Sequence, residues 1–423
     1  MVLVIKMKKK LGIIAIVIAI VIMAILGYVH YENVKEQERL ALLQQQEQQL
    51  EEVKSHFSEK VQTQRVTLLF NKIEDKYVVA GSIGKDEVIS LVEQEITYDT
   101  AYFLCEEYDL YVKYQDVLPI TEEITYSLRH KNYIPFNESV VLDKNTIFYD
   151  ENEELVLSLY TGMTLPILVK EDAYYGVDYQ DRLLWIRKED VKEVIKQENS
   201  TAKISTGIRV YCYHQLYDES KTSCNKIICH PLSQMHSHFK YIRDAGYYTM
   251  TMQDMQWYVA GKVNMPYKSV CLTFDDGGVN TKLVIKMLEE YDLHATLFLI
   301  AYKLKDYMIS DHLELHSHTY NMHTYGHCSL SPRGSAILCK DKEEVLADLI
   351  KSREVLNGAY AFCYPYYEYN KSIIKTLKEA GFTMAFMGDE GLVHVGDDPF
   401  KISRYTFSNN SSVNELKYWM HRE

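Results

Sequence analysis

The sequence contains little glycine or proline, with 18 and 8 residues respectively among 423. Hydrophobic residues make up 47% and charged residues 25%, which is ordinary for a globular protein. This composition excludes a collagen-like fibre, a mostly disordered chain and a small disulfide scaffold. The length predicts two to four domains.

Basic residues are fewer than acidic ones, and closely spaced cysteine pairs are absent from the sequence. The 46 Lys and Arg side chains are outnumbered by 59 Asp and Glu side chains, and the formal net charge is -13. An acidic chain repels phosphate backbones, so we expect no nucleic-acid partner. The eight cysteines include no Cys-x-x-Cys pair, so they permit disulfides without proving them.

Charge is absent from residues 11–29, which are mostly aliphatic. As a helix this segment spans about 28 Å at ~1.5 Å per residue, close to the hydrocarbon thickness of a bilayer. Residues 1–10 carry four lysines and are expected to stay in the cytoplasm, with the rest of the chain outside. The alternative is a cleaved signal peptide, but Gly27-Tyr28-Val29-His30 offers no small-x-small cleavage site. The pattern favours an uncleaved transmembrane anchor.

Residues 30–65 are predicted to form a helical stalk, because Gln, Glu and Lys dominate this segment. A weak heptad pattern is carried by Leu43, Leu50, Val53 and Phe57. A short coiled coil and a solvated single helix both remain open.

Two β modules are predicted to follow, at residues 66–125 and 126–200. Hydrophobic residues alternate with polar ones there, and residues 111–117 resemble residues 185–191 in order of residue type. Together with the strand pattern of residues 174–179, this resembles bacterial SH3-type domains of cell-wall proteins. The resemblance implies binding of wall glycan or peptide, and a spacer role is the alternative.

From residue 208 onward, short apolar runs alternate with helical patterns. Strands are predicted at 269–274, 294–300, 312–316, 359–363 and 382–387, and helices at 283–288, 342–357 and 371–380. Such alternation predicts an α/β domain with a parallel sheet, open or closed into a barrel. Catalytic residues gather at the carboxyl ends of strands in these folds.

Paired carboxylates stand at one predicted strand end, in Asp275-Asp276. One carboxylate can bind a metal while its neighbour accepts a proton from water. A solvated turn is the alternative. A later strand end, residues 313–323, supplies three histidines and a glutamate, the donor types of a divalent transition-metal site.

Four segments together resemble the polysaccharide deacetylases, the NodB-homology or carbohydrate esterase 4 family. The segments are Val210-Tyr211-Cys212-Tyr213-His214, Thr273-Phe274-Asp275-Asp276-Gly277, His318-Thr319-Tyr320-Asn321-Met322-His323 and Ala361-Phe362-Cys363-Tyr364-Pro365-Tyr366. Their spacing is most similar to the poly-N-acetylglucosamine deacetylase branch. The resemblance covers residues 208–423 and implies a deformed (β/α) barrel.

The resemblance also implies a role for each residue. Asp276, His318 and His323 would hold a divalent metal, with zinc expected and cobalt or nickel as alternatives. Asp275 would be the base that activates the attacking water, and His214 would protonate the departing amine. The metal and the backbone N–H of Tyr366 would stabilise the oxyanion.

Other histidines and cysteines offer alternatives. His323 with His327 fits the commoner family spacing, although residues 314–317 are the usual lead-in to a pair starting at His318. His316 could lie near the metal or be a buried structural residue. A second zinc site and a disulfide are both conceivable within Cys224, Cys229, His230, His236 and His238. Cys328 and Cys339 form a second candidate disulfide.

The third motif departs from the family pattern. Tyr367 stands where the family usually has glycine, which would narrow the cleft. The arginine that often orients the base is missing, with Cys363 near its place, and Arg404 is a candidate replacement. A surface ion pair is the alternative role for Arg404.

These observations predict a membrane-anchored, extracellular, metal-dependent deacetylase of N-acetylated polysaccharide. The β modules favour peptidoglycan as substrate, and the motif spacing favours a poly-N-acetylglucosamine exopolysaccharide. A glycan-binding protein with an impaired catalytic domain and an O-acetyl polysaccharide esterase are the alternatives.

Overall fold

The computed structural model describes residues 2–55, 59–74, 76–96, 101–120, 127–143 and 145–422. The chain forms two compact units. The amino-terminal unit comprises residues 1–126, 143–163 and 180–184, and the carboxy-terminal unit comprises residues 127–142, 164–179 and 185–423. The predicted second β module is therefore divided between the units. The boundary predicted between the two modules lies outside the described residues, and the SH3-like modules stay a prediction.

The chain contains seven α-helices and 24 strands among the described residues. The helices are α1 Val2–Ser55, α2 Leu232–Asp244, α3 Met252–Val259, α4 Thr281–Tyr291, α5 Lys342–Val355, α6 Lys371–Glu379 and α7 Val413–His421. The strands before residue 200 are β1 Lys60–Thr63, β2 Thr67–Ile73, β3 Lys76–Ile83, β4 Val88–Ile96, β5 Ala101–Cys105, β6 Leu110–Lys113, β7 Val117–Pro119, β8 Glu138–Leu142, β9 Thr146–Tyr149, β10 Leu155–Leu159, β11 Met163–Lys170, β12 Tyr174–Tyr179, β13 Arg182–Arg187 and β14 Val191–Lys196. The later strands are β15 Arg209–Tyr213, β16 Gln215–Tyr217, β17 Cys229–Pro231, β18 Tyr248–Thr249, β19 Ser269–Asp276, β20 Ala295–Leu299, β21 Leu313–Ser317, β22 Ala361–Cys363, β23 Met384–Phe386 and β24 Tyr405–Thr406.

Helix α1 contains the predicted anchor, and its segment Ile16–Gln44 is long and apolar enough to cross a membrane. The helix ends at Ser55, ten residues before the predicted end of the stalk. Strand β1 lies in the remainder, because Val61 and Thr63 alternate with half-buried neighbours and are buried between β4 and β7. The stalk is therefore shorter than predicted. Of the heptad residues, Phe57 lies outside the described residues.

The amino-terminal unit is an antiparallel β structure. Its strands are ordered β9-β10-β3-β2-β6-β5-β4-β1-β7. Strand β10 lies so close to β3 that a Cβ atom on Gly81 would stand 2.3 Å from the Ser158 carbonyl oxygen. Glycine at this position is what allows the two backbones to pair. Inside the unit, Arg182 pairs with Glu87 at 2.9 Å and donates to the Tyr108 hydroxyl at 2.7 Å.

The carboxy-terminal unit contains a curled parallel sheet, as the alternating pattern predicts. Its strand order is β23-β22-β21-β20-β19-β15-β24, and β18 pairs with the start of β19. Residues 402–406 connect the two edges of this sheet. At one edge Ile402 forms a parallel bridge with Phe386 of β23, and at the other edge β24 pairs with β15. The predicted strands and helices after residue 260 coincide with β19 to β23 and α4 to α6 within three residues at each end. The α/β fold class is confirmed.

Burial explains why α4 packs on this sheet. Val284, Met287, Leu288 and Tyr291 lie on one face of the helix and join a core with Leu272, Leu297 and other strand residues. Burying each large aliphatic side chain contributes about 1.5–3 kcal/mol. The register then aligns the carboxyl ends of the central strands, since Tyr213 pairs with Phe274 and Leu299 with Ser317. The four predicted motifs meet at this edge.

Candidate active site

Asp275, the predicted base, lies at the end of β19 and is 2% exposed. Arg404 donates to both of its carboxylate oxygens, from Nη1 to Oδ1 at 2.8 Å and from Nη2 to Oδ2 at 2.9 Å. This two-pronged ion pair is the main factor that holds the pKa of Asp275 well below its ordinary value, against the opposing effect of burial. The carboxylate is therefore ionised across the neutral pH range.

Arg404 is itself held from three directions. It is fully buried, its Nε donates to the Met387 carbonyl oxygen at 3.0 Å, and Nη1 donates to the Thr273 hydroxyl at 3.2 Å. The position predicted for a replacement arginine is thus in direct contact with the base. The surface ion pair considered for this residue is wrong.

Two buried thiols complete the surroundings of Asp275. The Sγ atoms of Cys363 and Cys212 lie 3.3 and 3.5 Å from Asp275 Oδ2. Burial raises the pKa of the Cys212 thiol to about 12, so it remains a protonated donor. Oδ2 accordingly receives three donors, whereas Oδ1 receives Arg404 alone among the described side chains. Oδ1 is the freer atom to accept a proton.

Asp276, His318 and His323 form the group predicted to hold a metal. Asp276 Oδ1 lies 3.7 Å from His318 Nε2 and 3.4 Å from His323 Nε2, and the three ligand atoms lie within 4.8 Å of one another. Asp276 Oδ1 is buried with no hydrogen-bond donor within the described part of the chain. A buried carboxylate oxygen of this kind calls for a cation. The donor set therefore fits a divalent metal.

His318 is in the state that a metal ligand needs. His318 Nδ1 lies 2.8 Å from the Cys363 carbonyl oxygen, which leaves Nε2 free to face Asp276. Burial lowers the pKa of His318 to about 4, so its imidazole is neutral at neutral pH. Asp276 and Thr319 both adopt left-handed backbone conformations, with φ of 75° and 73°. Such conformations in ordinary residues concentrate at functional sites.

His214 follows β15, which pairs with β19 on the side away from β20 and β21, and one of its ring nitrogens lies within 4.8 Å of an Asp275 carboxylate oxygen. With Asp275 and Lys303 it lines a cavity of about 280 Å³ beside the β19–α4 loop. Its Nδ1 atom is buried with no hydrogen-bond partner among the described residues. Burial lowers the pKa of His214, and the neighbouring carboxylates Asp275 and Asp276 oppose this shift.

Tyr366 and Tyr367 form the turn after β22, both with positive φ, at 57° and 59°. The Tyr366 ring stacks on His323 with a centroid separation of 4.8 Å. The Tyr367 ring faces Gly388, where an added Cβ would approach it to 2.4 Å, and its hydroxyl lies 3.1 Å from the Thr406 hydroxyl. The Tyr367 ring therefore fits in this position because Gly388 has no side chain to collide with it.

The alternative histidines lie elsewhere. His327 is exposed and belongs to none of the candidate metal groups found among the described residues. His316 is buried, 3.6 Å from Glu314 Oε2, and accepts a hydrogen bond from the Ala361 N–H. Glu314 also lies 3.3 Å from His294, so His316 belongs to a buried polar cluster rather than to the metal group.

The second zinc site considered for the Cys224 region is not assembled. Cys224 and Cys229 form a disulfide, as do Cys328 and Cys339, which confirms both candidate pairs. His238 Nδ1 lies 3.0 Å from the Tyr213 hydroxyl, and His236 Nδ1 lies 2.9 Å from the Tyr291 hydroxyl. Each cysteine and histidine of the set thus has a different partner.

Sequence reasoning missed Cys212 and Lys303 as neighbours of the site. Cys212 precedes His214 by two residues and ends on the same edge of the sheet, a signal that strand alternation could have supplied. Lys303 lies in the turn after β20, and its Nζ is 3.4 Å from the Asp276 carbonyl oxygen. No pattern in the sequence pointed to that contact.

A curled parallel sheet with an arginine-paired carboxylate and an Asp-His-His group at one edge defines an α/β domain with a candidate metal centre. Residues 262–385 match the family described as polysaccharide deacetylase. This match supports a polysaccharide deacetylase domain in the carboxy-terminal unit, that is, a hydrolase that removes acetyl groups from carbohydrate.

Individual relatives are distant. YxkH of Bacillus subtilis (strain 168), named as a polysaccharide deacetylase, is 21% identical over 53% of this chain and 81% of its own. The poly-β-1,6-N-acetyl-D-glucosamine N-deacetylase of Escherichia coli O157:H7 is 23% identical over 56% of this chain, which spans 41% of that relative. The structure of IcaB from Ammonifex degensii has a TM-score of 0.45 and 21% identity, covering 52% of this chain and all of IcaB.

Proposed function

We propose that this protein is a membrane-anchored, extracellular, metal-dependent enzyme that removes acetyl groups from N-acetylglucosamine-containing polysaccharide. One observation carries the proposal: an arginine-paired carboxylate stands beside an Asp-His-His group at the carboxyl edge of a deacetylase sheet. The two adjacent aspartates have separate partners, which supports separate roles for them.

Asp276, His318 and His323 would hold the metal, which is expected to be zinc, with cobalt or nickel as alternatives. A divalent ion held there supplies a Lewis acid that polarises an acetamide carbonyl and lowers the pKa of a water molecule. Nitrogen and carboxylate donors in this number suit a catalytic zinc site, which keeps open positions for water and substrate.

Asp275 would accept the proton of the attacking water at Oδ1. Its pairing with Arg404 keeps it ionised and fixes the direction of the acceptor oxygen. The same pairing weakens the base, because a lowered pKa reduces proton affinity. Asp275 would still accept the proton, because a bound metal would lower the pKa of the attacking water as well.

His214 and Tyr366 would act on the two other atoms of the amide. His214 lines the same cavity as Asp275 and would deliver a proton to the departing amine nitrogen. The backbone N–H of Tyr366, in a turn beside His323, would donate to the carbonyl oxygen as negative charge develops there.

The substrate class is a polymer containing N-acetylglucosamine. The E. coli relative is named for poly-β-1,6-N-acetylglucosamine, which favours an exopolysaccharide. The predicted wall-binding modules favour peptidoglycan instead. Both polymers present the same acetamide group to the site.

An extracellular, anchored location fits the apolar segment of α1, the lysines that precede it and the two disulfides of the domain. In this arrangement the amino terminus is cytoplasmic and the enzyme works on glycan outside the cell membrane.

The test is acetate release from N-acetylglucosamine oligomers by the full chain in detergent, with zinc, cobalt or nickel added and with a chelator. Metal-dependent release is expected, and Asp275→Asn should abolish it while metal content is retained. His318→Ala or His323→Ala should lower metal content, whereas the exposed His327→Ala should not.

Release by Asp275→Asn at the wild-type rate would refute its role as the base. A folded, metal-loaded wild type that releases no acetate would favour a glycan-binding protein. Release from O-acetylated polysaccharide alone would favour an esterase. His214→Ala should slow amide cleavage more than ester cleavage, because an ester leaving group needs less help from an acid.

A further inference from the structure

One tyrosine at the rim of the site is both exposed and ordered. Tyr325 is 72% exposed, and its ring centroid lies 5.0 Å from that of Tyr366. Tyr366 in turn stacks on His323, a candidate metal ligand. A continuous series of three rings therefore leads from the metal group to solvent.

The segment that carries Tyr325, residues 324–339, is closed on itself; we call it the rim loop. The Cys328–Cys339 disulfide joins its two arms, and Tyr325 forms an antiparallel bridge with Ser335. A Cβ atom on Gly334 would lie 2.6 Å from the Tyr325 ring, so the ring rests directly on the Gly334 backbone. One part of the Tyr325 side chain therefore packs on the Gly334 backbone, and the rest is exposed to solvent.

A buried carboxylate ties the rim loop to the turn that carries Tyr366. Glu368 accepts hydrogen bonds from the Arg333 N–H at 2.8 Å, from the Ser335 N–H at 3.0 Å and from the Ser331 hydroxyl. Glu368 follows Tyr366 by two residues and is 9% exposed. The two tyrosines are therefore held in a fixed relation by side chains that have no part in the reaction.

A rigid exposed ring is a favourable surface for a sugar. Binding to it costs little side-chain ordering, because the ring is already fixed. The negative face of the aromatic ring attracts the positively polarised C–H bonds on the face of a pyranose. Tyr267 is also exposed, at 62%, but it precedes β19 and lies at the far end of that strand from Asp276.

We propose that Tyr325, connected to the site through Tyr366, is a stacking platform for the sugar ring adjoining the one that is deacetylated. This inference rests on the proposed function and deepens it. It makes the enzyme selective for a chain of sugars over a single one, because only a chain reaches both the metal group and the platform.

The test compares Tyr325→Ala, Tyr325→Phe and the control Tyr267→Ala in the zinc-loaded full chain. For β-1,4- and β-1,6-linked N-acetylglucosamine pentamers, Tyr325→Ala should raise KM about tenfold with kcat nearly unchanged. Tyr325→Phe keeps the ring and should behave as wild type, as should Tyr267→Ala. Cleavage of an aryl acetate that contains no sugar should be equal in all four proteins.

A second readout separates this inference from the proposed function. Calorimetric titration of the same pentamers into Asp275→Asn should show about tenfold weaker binding when Tyr325→Ala is added. If pentamers bind through Tyr325 but wild type releases no acetate, the platform stands and the proposed activity fails. If wild type releases acetate and Tyr325→Ala matches Tyr267→Ala in both assays, the platform is refuted. Equal loss on the aryl acetate would also refute it, by showing damage to the site itself.

Discussion

Asp275 and Arg404 are two opposite charges removed from water together. Each is almost completely buried, and each would be costly alone. Their two-pronged contact offsets part of that cost, while the thiols of Cys212 and Cys363 satisfy what remains of Oδ2. The pair therefore keeps the Asp275 carboxylate ionised in a buried position, and a buried ion pair of this kind adds little net stability to the domain.

Arg404→Met should leave the Asp275 charge buried without a cation. We expect the free energy of unfolding to fall by about 3–5 kcal/mol, measured by urea denaturation. The wild-type carboxylate has a lowered pKa, so its stabilising effect is present above the ordinary Asp pKa and disappears as pH falls through the folded value. In the variant, burial raises the pKa of Asp275, so the acid limb of acetate release should move to higher pH.

Lys401→Met is the matched control. Lys401 pairs with Asp398 at 3.4 Å, and both side chains are 47% exposed. The loss should stay within about 1 kcal/mol, with the pH profile unchanged. An equal loss in the two variants would contradict the view that burial makes the Arg404 contact special.

Single residues differed in how far the sequence could predict them. Asp276, His318 and His323 could be named because their motifs resemble those of the polysaccharide deacetylases, and both motifs stand at predicted strand ends. The contact of Arg404 with the base depends on residues 402–406 joining the two edges of the sheet. That closure is a tertiary event without a local pattern, so the sequence allowed Arg404 only as one candidate.

At the scale of elements, strand β17 and helix α2 bury two histidines beside the sheet. His230 and His238 are both 0% exposed, and burial lowers the pKa of each to about 4. The Nε2 atom of each has no hydrogen-bond partner among the described residues. Both imidazoles are therefore neutral in the folded domain.

The two histidines should make the domain sensitive to mild acid. Unfolded histidine binds a proton near pH 6.5 and the buried ones near pH 4, so stability is full above 6.5 and falls as pH drops toward 4. Each should contribute a loss of about 3 kcal/mol. Urea denaturation at pH 7 and pH 4.5 should show this loss, and His230→Gln with His238→Gln should reduce it, whereas the exposed His394→Gln should not.

The two disulfides should contribute differently to the free energy of unfolding, because they close loops of different length. Cys328 and Cys339 are 11 residues apart, and Cys224 and Cys229 are 5 apart. Replacing the first pair by serine should lower the free energy of unfolding by about 3 kcal/mol, and replacing the second by about 2 kcal/mol. Thermal unfolding with and without reductant measures both. Loss of the first pair should also free the rim loop and weaken pentamer binding, an effect that loss of the second should not reproduce.

Helices and strands were easiest to predict where one hydrophobic pattern extended through the whole segment. Strand β20 and helix α5 were predicted within two residues, because uninterrupted apolar runs and helical spacing both extend through them. The stalk was predicted too long, because residues 60–63 are polar enough to continue a solvated helix. These residues form a strand because they pair with β4 and β7, and such pairing cannot be predicted from the sequence of residues 60–63 alone.

At the scale of the whole molecule, the charge pattern at the start of α1 predicts orientation. Protease added to intact cells should digest the catalytic domain, and a label on the first residues should stay protected. Replacing Lys6, Lys8, Lys9 and Lys10 by glutamine should reduce the fraction of correctly oriented chains. Protection of the catalytic domain in intact wild-type cells would contradict the extracellular assignment.

The late position of Arg404 in the chain has a consequence for the order in which the site is completed. Asp275, His318 and His323 are all synthesised before residue 404. Until residues 402–406 join the two edges of the sheet, the Asp275 carboxylate has no cation beside it. The predicted active site is therefore complete only when the carboxy-terminal part of the domain has folded onto the sheet.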